Sequence, residues 1–429
     1  MQYAEALDYL YSRLPVFHRI GPKALKPGLG NTLALCDAMG NPHRRFRSIH
    51  VAGTNGKGSS SHMLAAIYQS AGYRVGLYTS PHLKSFTERI RLNGQPMAEE
   101  AVAHFVTTYQ TLIESIEPSF FEVTVAMAFD YFARQQVDLA IIETGLGGRL
   151  DSTNVIIPEA SLITNIAFDH TDILGDTLPQ IAAEKAGIIK AGVPVVVGES
   201  NPVTALVFSH TAEVLHAPLS FADVRYTVQD NGVQAGKREV LVKRPEEKEE
   251  QVYQLDLVGS YQLKNLPAVL AIVDILQPLW PVPAEARRNG LAKVSELTGL
   301  KGRFQTLQTT PMVIADTAHN EAGLAALLET IAPFSYRMLR IILGLVADKD
   351  RSRLLDSLPQ QAVYYFCQAQ TPRSLSADLL QTEAAHANRI GAAFPDVNVA
   401  LTAALADASP DDLILVTGSN YTIAELTNL

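Results

Sequence analysis

"HVAGTNGKGSSSHMLAAIY" occupies residues 50–68 and decides how the rest of the chain is read. An apolar run ends at Gly53, and three glycines (Gly53, Gly56, Gly58) follow within six residues. Apolar residues then recur at helical spacing, so the order is strand, glycine-rich turn, helix from Ser59 onward. Such a turn lets backbone N–H groups converge on an anion that the helix N-terminus also faces. The match to G-x-x-x-x-G-K-[ST] is incomplete. Val51 stands where the first glycine belongs, and Gly58 separates Lys57 from Ser59. Two readings stay open on this stretch alone: a nucleotide loop with Lys57 on the β/γ-phosphates, or a strand–helix turn with a solvated lysine.

Working outward, RSIHVAG, YRVGLYTSP, VDLAIIETG, ASLITNIAFDH and VPVVVGE read as strands. Their Val/Ile/Leu content is continuous rather than alternating, which marks a parallel sheet covered on both faces. Helical patterns lie between them, as at Met63, Leu64, Ile67, Tyr68 and Ala71, and the fold class is α/β, doubly wound. Residues 221–257 carry turn signals, alternation and the charge run EEKEE, which predicts hairpins with a solvated tip. The strand–helix rhythm resumes with PMVIADTAHN, MLRIILGLVADKD, AVYYFCQA and DLILVTGS. A helix lies between two of these, with Leu324, Leu327, Leu328 and Ile331 on one face. The expected division is residues 1–297 as a doubly wound α/β domain and 298–429 as a smaller α/β domain, joined through LTGLKGRFQ.

Bulk properties narrow the function classes. The chain has 429 residues, 47% hydrophobic and 18% charged, the composition of folded domains. A net charge of −9 gives no electrostatic footprint for nucleic acid or an anionic membrane. Cys36 and Cys367 form neither a disulfide framework nor a zinc pattern. The start MQYAEALDYLYSRLPVF lacks the layout of a signal peptide, and no apolar run reaches a membrane span, so the cytoplasm is expected.

Polar clusters fall repeatedly at strand ends, where open parallel sheets bind ligands. They are GTNGKGSSS, Thr79-Ser80-Pro81-His82, Glu143-Thr144-Gly145 and Asp169-His170, then Asp316 to Asn320, Ala347 to Asp350, and Gly418-Ser419-Asn420. Seven such clusters predict a cleft between facing sheet edges. Ser80 and Glu143 beside a phosphate loop suit Mg²⁺, which takes few protein ligands and completes its shell with water and phosphate oxygens. His170 would make that site softer. The bland alternatives are a turn-forming Ser80, a helix-capping Glu143 and a satisfied buried His170. Lys185, in AEKAGIIKAG on a short helix ending near Gly187, reads as a solvated lysine, a partner for Glu184 or Asp169, or an amine able to form a carbamate with CO₂.

GTNGKGS, YTSPHL with FTERI, ETGLGGRLDSTN, FDHTDILG, EKAGIIKAG, DTAHN and ADKD occur in this order. Together they resemble the Mur ligase superfamily, and within it the folylpolyglutamate synthase/dihydrofolate synthase type, along the whole chain. The compressed loop with glycine after lysine is the form of that family, and it resolves the opening ambiguity in favour of ATP. The resemblance implies a P-loop type domain followed by a Rossmann-like one. It assigns the ATP phosphates to Asn55, Gly56, Lys57, Gly58 and Ser59, and the base and ribose side to Asn265, Arg303 and Asp316. It implies two Mg²⁺ sites, with Ser80 and Glu143 at the first and His170 at the second. It also implies a carbamylated Lys185, a monovalent cation, and His319 and Ser419 near the incoming glutamate. Phe121, Glu122 and Asp151 fall at the folate site.

Two departures stand out: Phe121-Glu122-Val123 lacks one aromatic residue, and an amide, Asn420, follows Ser419. The implied chemistry is ligation through an acyl phosphate, with ATP gripped by both halves and water excluded on closure. Dihydropteroate or a reduced folate is the acceptor and L-glutamate the donor amine. LDSTN and the segment HRIGPKALKPGLGN resemble bifunctional enzymes that accept both acceptors, and a monomer is expected. A peptidoglycan-type Mur ligase is the alternative within the enzyme class. The residue after Lys57, TSPHL and the lack of an extra N-terminal nucleotide-sugar domain count against it. A non-ligase P-loop regulator is the alternative outside it, opposed by the metal set, Lys185 and His319.

Overall fold

The computed structural model of the protein describes residues 1–17, 21–24, 26, 28–244, 249–347 and 351–429. Outside them lie residues 18–20, 25 and 27 of HRIGPKALKPGLGN, 246–248 of the EEKEE run and 348–350 of ADKD. The chain divides into two compact units, Met1–Val258 with Gln262–Leu300, and Gly259–Tyr261 with Lys301–Leu429.

The first unit holds an eight-stranded sheet. In chain order its strands are β1 (Arg47–Ala52), β2 (Val75–Tyr78), β3 (Ile90–Leu92), β4 (Gln95–Pro96), β5 (Leu139–Glu143), β6 (Ala160–Ile163), β7 (Val195–Val197) and β8 (Leu219–Phe221). They lie in the order β4-β3-β2-β5-β1-β6-β7-β8. From β2 to β8 neighbours run parallel, and β3 and β4 add an antiparallel edge. The parallel strands β1, β2, β5, β6 and β7 are buried nearly end to end, which explains their unbroken apolar runs.

Five helices of this unit bear on the site or its support: α1 (Lys57–Ser70), α2 (Phe120–Arg134), α3 (Leu178–Ala186), α4 (Gln262–Leu276) and α5 (Ala284–Leu291). Helix α1 starts at Lys57, two residues before the sequence expectation, because Gly56 takes a left-handed conformation (φ 82°) and caps it. It is not a one-sided amphipathic helix either: every residue from Ser59 to Tyr68 is buried. Helix α4 packs beside it and against β6 and β7, and α5 packs on α1. A Cβ on Gly290 of α5 would come within 2.7 Å of the Ile67 Cα, so the two helices touch backbone to backbone.

Residues 221–257 supply a short helical turn and an antiparallel sheet of β9 (Thr227–Gln234), β10 (Lys237–Lys243) and β11 (Gln251–Leu255). In β10, buried Arg238, Val240 and Val242 alternate with half-buried neighbours, as a sheet packed on one face requires.

The second unit carries β12 (Gln305–Thr309), β13 (Met312–Ala315), β14 (Leu339–Leu343), β15 (Val363–Cys367), β16 (Gly391–Phe394) and β17 (Leu413–Thr417). Their order is β12-β13-β17-β14-β15-β16, parallel except for β12. Helix α6 (Glu321–Ile331) buries Leu324, Leu327 and Ile331, with Leu328 half-buried, and α7 (Asn420–Ala424) follows β17. No helix of the described residues is long and apolar enough to cross a membrane.

The α1–α5 contact yields a direct test. Gly290→Ala forces a methyl group into the Ile67 backbone and should destabilise the first unit by about 1–3 kcal/mol. A lower urea midpoint by circular dichroism is the expected result.

Candidate active site

Strand register builds the site. Tyr78 of β2 pairs with Ile142 of β5, Glu143 of β5 with Val51 of β1, and Ala52 of β1 with Ile163 of β6. Neighbouring strands lie about 4.8 Å apart. The loops that begin at Thr79, Thr144, Gly53 and Thr164 therefore leave one edge of the sheet side by side.

The loop 53–56 is stitched to the segment after β6. Thr54 N–H donates to the Asn165 carbonyl and Asn55 N–H to Asn165 Oδ1, both at 2.9 Å. Thr164 Oγ1 donates to the Asn55 carbonyl at 2.5 Å. From the other side, a Cβ on Gly56 would fall 2.2 Å from Asn265 Oδ1. Asn265 donates to Gln262 Oε1 at 2.7 Å, and Gln262 donates to Ser59 Oγ at 3.1 Å. Asn265, expected on the base and ribose side, thus lies against the phosphate-type loop. The first turn of α1 directs the amides of Lys57, Gly58 and Ser59 toward that loop, where a helix supplies no carbonyl of its own. Lys57 Nζ donates to the carbonyls of Gly53 (3.0 Å) and Thr54 (3.1 Å), and buried Lys185 Nζ also donates to Gly53 at 3.0 Å.

Ser80 and Glu143 meet at the ends of β2 and β5, where Ser80 N–H donates to Glu143 Oε2 at 3.4 Å. The buried Glu143 carboxylate, one strand from the glycine loop, and the serine whose N–H it accepts offer hard oxygens suited to Mg²⁺. Among the described residues no three His, Cys, Asp or Glu side chains gather into a metal cage. His170 is only half-buried and adopts a left-handed conformation (φ 49°), with its Nε2 3.9 Å from Asp169 Oδ1.

The stretch ETGLGGRLDSTN folds into a clamp. Asp151 Oδ2 accepts the N–H groups of Gly145 (2.8 Å) and Leu146 (2.9 Å), and Oδ1 accepts Thr153 N–H (3.0 Å) and Thr153 Oγ1–H (2.5 Å). Its carboxylate faces the protein on all four bonds. Asn154 donates to the carbonyls of Arg149 and Gly187, both at 3.0 Å. A Cβ on Gly187 would lie 2.3 Å from the Arg149 Cα, so the loop packs directly on the end of α3, which carries Lys185. The Phe121 ring covers Gly145. Glu122, expected at the folate site, closes a capping box with Ser119 at the start of α2 and accepts from Asn31 at 3.4 Å.

In the second unit, Asp316 is buried and accepts from Tyr261 Oη–H (2.6 Å), Phe304 N–H (2.8 Å) and Ala318 N–H (2.8 Å). Burial raises its pKa above the usual carboxylate value, against the pull of these donors. Arg303 donates to Thr317 Oγ1, and His319 Nδ1 lies 2.9 Å from the Thr317 carbonyl, so both sit at the loop after β13. Ser419 caps α7 by accepting Thr422 N–H at 3.0 Å.

Two family models match this chain: the Mur ligase middle domain over residues 51–273 and the Mur ligase glutamate ligase domain over 302–420. The chain belongs to the Mur ligase family. Within that family it is 34% identical to the dihydrofolate synthase/folylpolyglutamate synthase of Bacillus subtilis, covering 99% of this chain and 98% of that one. It is also 34% identical to the Escherichia coli protein of the same name, covering 98% and 96%. A Haloferax volcanii protein named probable bifunctional folylpolyglutamate synthase/dihydropteroate synthase is 33% identical, and the chain spans about half of its length. In three dimensions it resembles E. coli FolC in complex with DHPP and ADP, with a TM-score of 0.85 and 31% identity, covering 99% and 96% of the two chains. A bifunctional enzyme of this type with Mn, AMPPNP and L-glutamate bound also gives 0.85 at 31% identity, covering 99% and 97%.

Residues of this Mur ligase site that sequence reasoning passed over are its scaffolding: Asn165, Thr164, Gln262, Thr153 and His50. The first two lie inside a stretch read only as a strand, and their role emerges from register alone. Gln262 stands three residues before Asn265, one helical turn away, and that spacing is the available signal.

Burial, followed by the neighbouring Lys57 ammonium, lowers the Lys185 amine from 10.5 to about 7, against Asp169, Asp151 and Glu184. Between pH 7 and 10.5 the unfolded chain holds a proton that the folded chain has released, so Lys185 makes stability rise with pH across that window. In CO₂-free buffer, the urea midpoint of the parent should gain on that of Lys185→Met as pH rises from 7 to 10. Parallel curves would contradict the lowered basicity.

Proposed function

We propose that the protein joins L-glutamate to the carboxylate of a pteroate or folate, driven by cleavage of ATP to ADP and phosphate. One observation carries the reading: strand register sets a glycine loop with its lysine, a buried carboxylate and a hydroxyl on one sheet edge. The relatives' names and the ligands of the FolC structures supply the substrate class.

The loop 53–56 and the first turn of α1 bind the ATP phosphates, with Lys57 at the transferred group. The substrate carboxylate attacks the γ-phosphorus and releases ADP, leaving an acyl phosphate. The glutamate amine then attacks the acyl carbon, loses a proton, and phosphate leaves as the amide forms. Ser80 and Glu143 hold one Mg²⁺, and His170 with a Lys185 carbamate holds a second. Such ions neutralise charge on phosphate oxygens. A monovalent cation completes the cofactor set. Asn265 steadies the phosphate loop, Arg303 and Asp316 form the nucleoside side, and His319 and Ser419 receive glutamate. Phe121 covers the folate side of Gly145, and Asp151 acts there by holding the loop. Glu122, as a cap, sets where Phe121 stands.

Both acceptors are used, dihydropteroate as well as reduced folates. The Bacillus and E. coli relatives carry both names, whereas a Lacticaseibacillus casei relative at 33% identity is named folylpolyglutamate synthase alone. The domain limits follow the same reading, 1–297 for ATP and 298–429 for glutamate ligation. The enzyme works as a monomer in the cytoplasm, where two buried free thiols, Cys36 and Cys367, are at home.

ADP release by the purified protein should require both a pteroate or folate and L-glutamate, and release independent of either sinks the ligase reading. Run in parallel, 7,8-dihydropteroate and tetrahydrofolate should both turn over, and silence on dihydropteroate leaves polyglutamylation alone. Lys185→Ala should lose at least about 100-fold in kcat, the scale of losing a transition-state charge stabiliser. It should regain part of that with a small carboxylic acid, and the parent should show a carbamate carbon by NMR in ¹³C-bicarbonate. Parental rates in Lys185→Ala exclude the carbamate.

A further inference from the structure

His50 is wholly buried on β1, three residues before Gly53, and no step of the proposed reaction uses it. Its Nε2 lies 2.8 Å from Thr153 Oγ1, and Thr153 Oγ1 lies 2.5 Å from Asp151 Oδ1. Asp151 in turn holds the backbone N–H groups of Gly145 and Leu146, the two residues that follow Glu143-Thr144. We propose that His50 is a positioning residue: through Thr153 it fixes the Asp151 carboxylate, and so the loop that aims Glu143 at the site.

The direction of each proton follows from counting donors. Asp151 already accepts three backbone N–H groups, so its carboxylate acts as an acceptor throughout and the Thr153 hydroxyl proton points at Oδ1. Thr153 Oγ1 then offers only lone pairs to His50, whose Nε2 must carry the proton. Nδ1 is left as a bare acceptor, and it has no hydrogen-bond partner among the described residues. A charged ring would need a second acceptor at Nδ1, so the imidazole stays neutral. Burial, helped by Lys190, pushes its basicity in the same direction, to about 3. The chain of bonds has a single polarity, from imidazole to hydroxyl to carboxylate. Its role is to hold a loop, and Lys190 Nζ, donating to the Asn154 carbonyl at 3.0 Å, ties the same segment from outside.

The test compares His50→Leu, which removes the donor and keeps an apolar bulk, with His50→Gln, whose amide restores an N–H at similar reach. Thr153→Val and Thr153→Ser form the matching pair. Hydrogen exchange of the Gly145 and Leu146 amides, measured without nucleotide, should accelerate at least tenfold in His50→Leu and Thr153→Val. It should return to within threefold of the parent in His50→Gln and Thr153→Ser. The kinetic arm rests on the ligase reading: kcat should fall at least tenfold in the first pair, KM for L-glutamate should move less than twofold, and half-saturating Mg²⁺ should rise. The double variant His50→Leu/Thr153→Val should lose no more than the worse single one, because both cut one chain. Unchanged amide exchange, additive losses, or a lowered melting temperature with parental kcat and Mg²⁺ dependence would each overturn the proposal. If His50→Leu does not fold, the isosteric Thr153→Val carries the same arms. A parent without ligase activity would remove the proposed function while the exchange arm still decides this one.

Discussion

The pairing of Val51 with Glu143 is the constraint on which the site depends. Side chains alternate faces along a strand, so a slip of one residue between β1 and β5 would send the Glu143 carboxylate to the other face. The slip is prevented by burial rather than by any polar contact. Ile49 and Val51 on β1 and Leu139 and Ile141 on β5 belong to one apolar cluster with α1 and α4, whereas Ala140 and Ile142 belong to the cluster on the opposite face. A shift would exchange these sets and place His50 where Ile49 packs. The chemistry at the strand ends is thus aimed by hydrophobic residues several positions earlier.

A second layer converts strand ends into a rigid site. Loops normally satisfy their backbone with water, but the loops after β5 and β6 are held from within. Asp151, Asn154, Thr164 and Asn165 direct their polar atoms at backbone groups of neighbouring loops. A buried carboxylate with four donors is stable only while all four remain, since each lost partner leaves a desolvated oxygen. The clamp is therefore cooperative. This also explains why ETGLGGRLDSTN is contiguous: the glycines bring the loop onto α3, and the Asp and Asn that pin it follow within one turn of chain.

The amino-acid sequence makes the architecture plain because its signals are local. Unbroken apolar runs mark strands such as LAIIE in β5, and alternation marks β10, where Val240 and Val242 face inward. Ser80, Glu143 and Lys57 could be singled out because chemistry-bearing residues at strand ends stand out against small or apolar neighbours. What stays hidden in the sequence has one physical origin: a side chain's partner is set by the fold. That Glu122 also serves Ser119 as a cap shows only once α2 is seen to start there. Nothing in LDSTN shows that the Asp151 oxygens turn inward onto the Gly145, Leu146 and Thr153 N–H groups. His50 sits inside the apolar strand RSIHVA, and only the approach of Thr153, 103 positions away, gives it a function. Helix α1 likewise starts before the first serine, because Gly56 turns left-handed and caps it at Lys57.

The Gly53 carbonyl ties these layers to the chemistry. It accepts from both Lys57 and Lys185, two ammonium groups on a single oxygen. Two cations that close repel, and this repulsion is one reason the Lys185 amine is weakly basic. A weakly basic amine is the form that can attack CO₂. On the carbamate reading the product keeps one N–H on Nζ, so the bond to Gly53 can persist and fix where the new carboxylate points. The charge at that spot then changes from +1 to −1. Lys57 turns from a repelling neighbour into an attracting one, while Asp169, Asp151 and Glu184, which had favoured the ammonium, come to oppose the carbamate. Lys57 alone cannot balance that set and also serve a phosphate. A divalent ion beside the carbamate can, so modification of Lys185 and metal binding should favour each other through the same local charge.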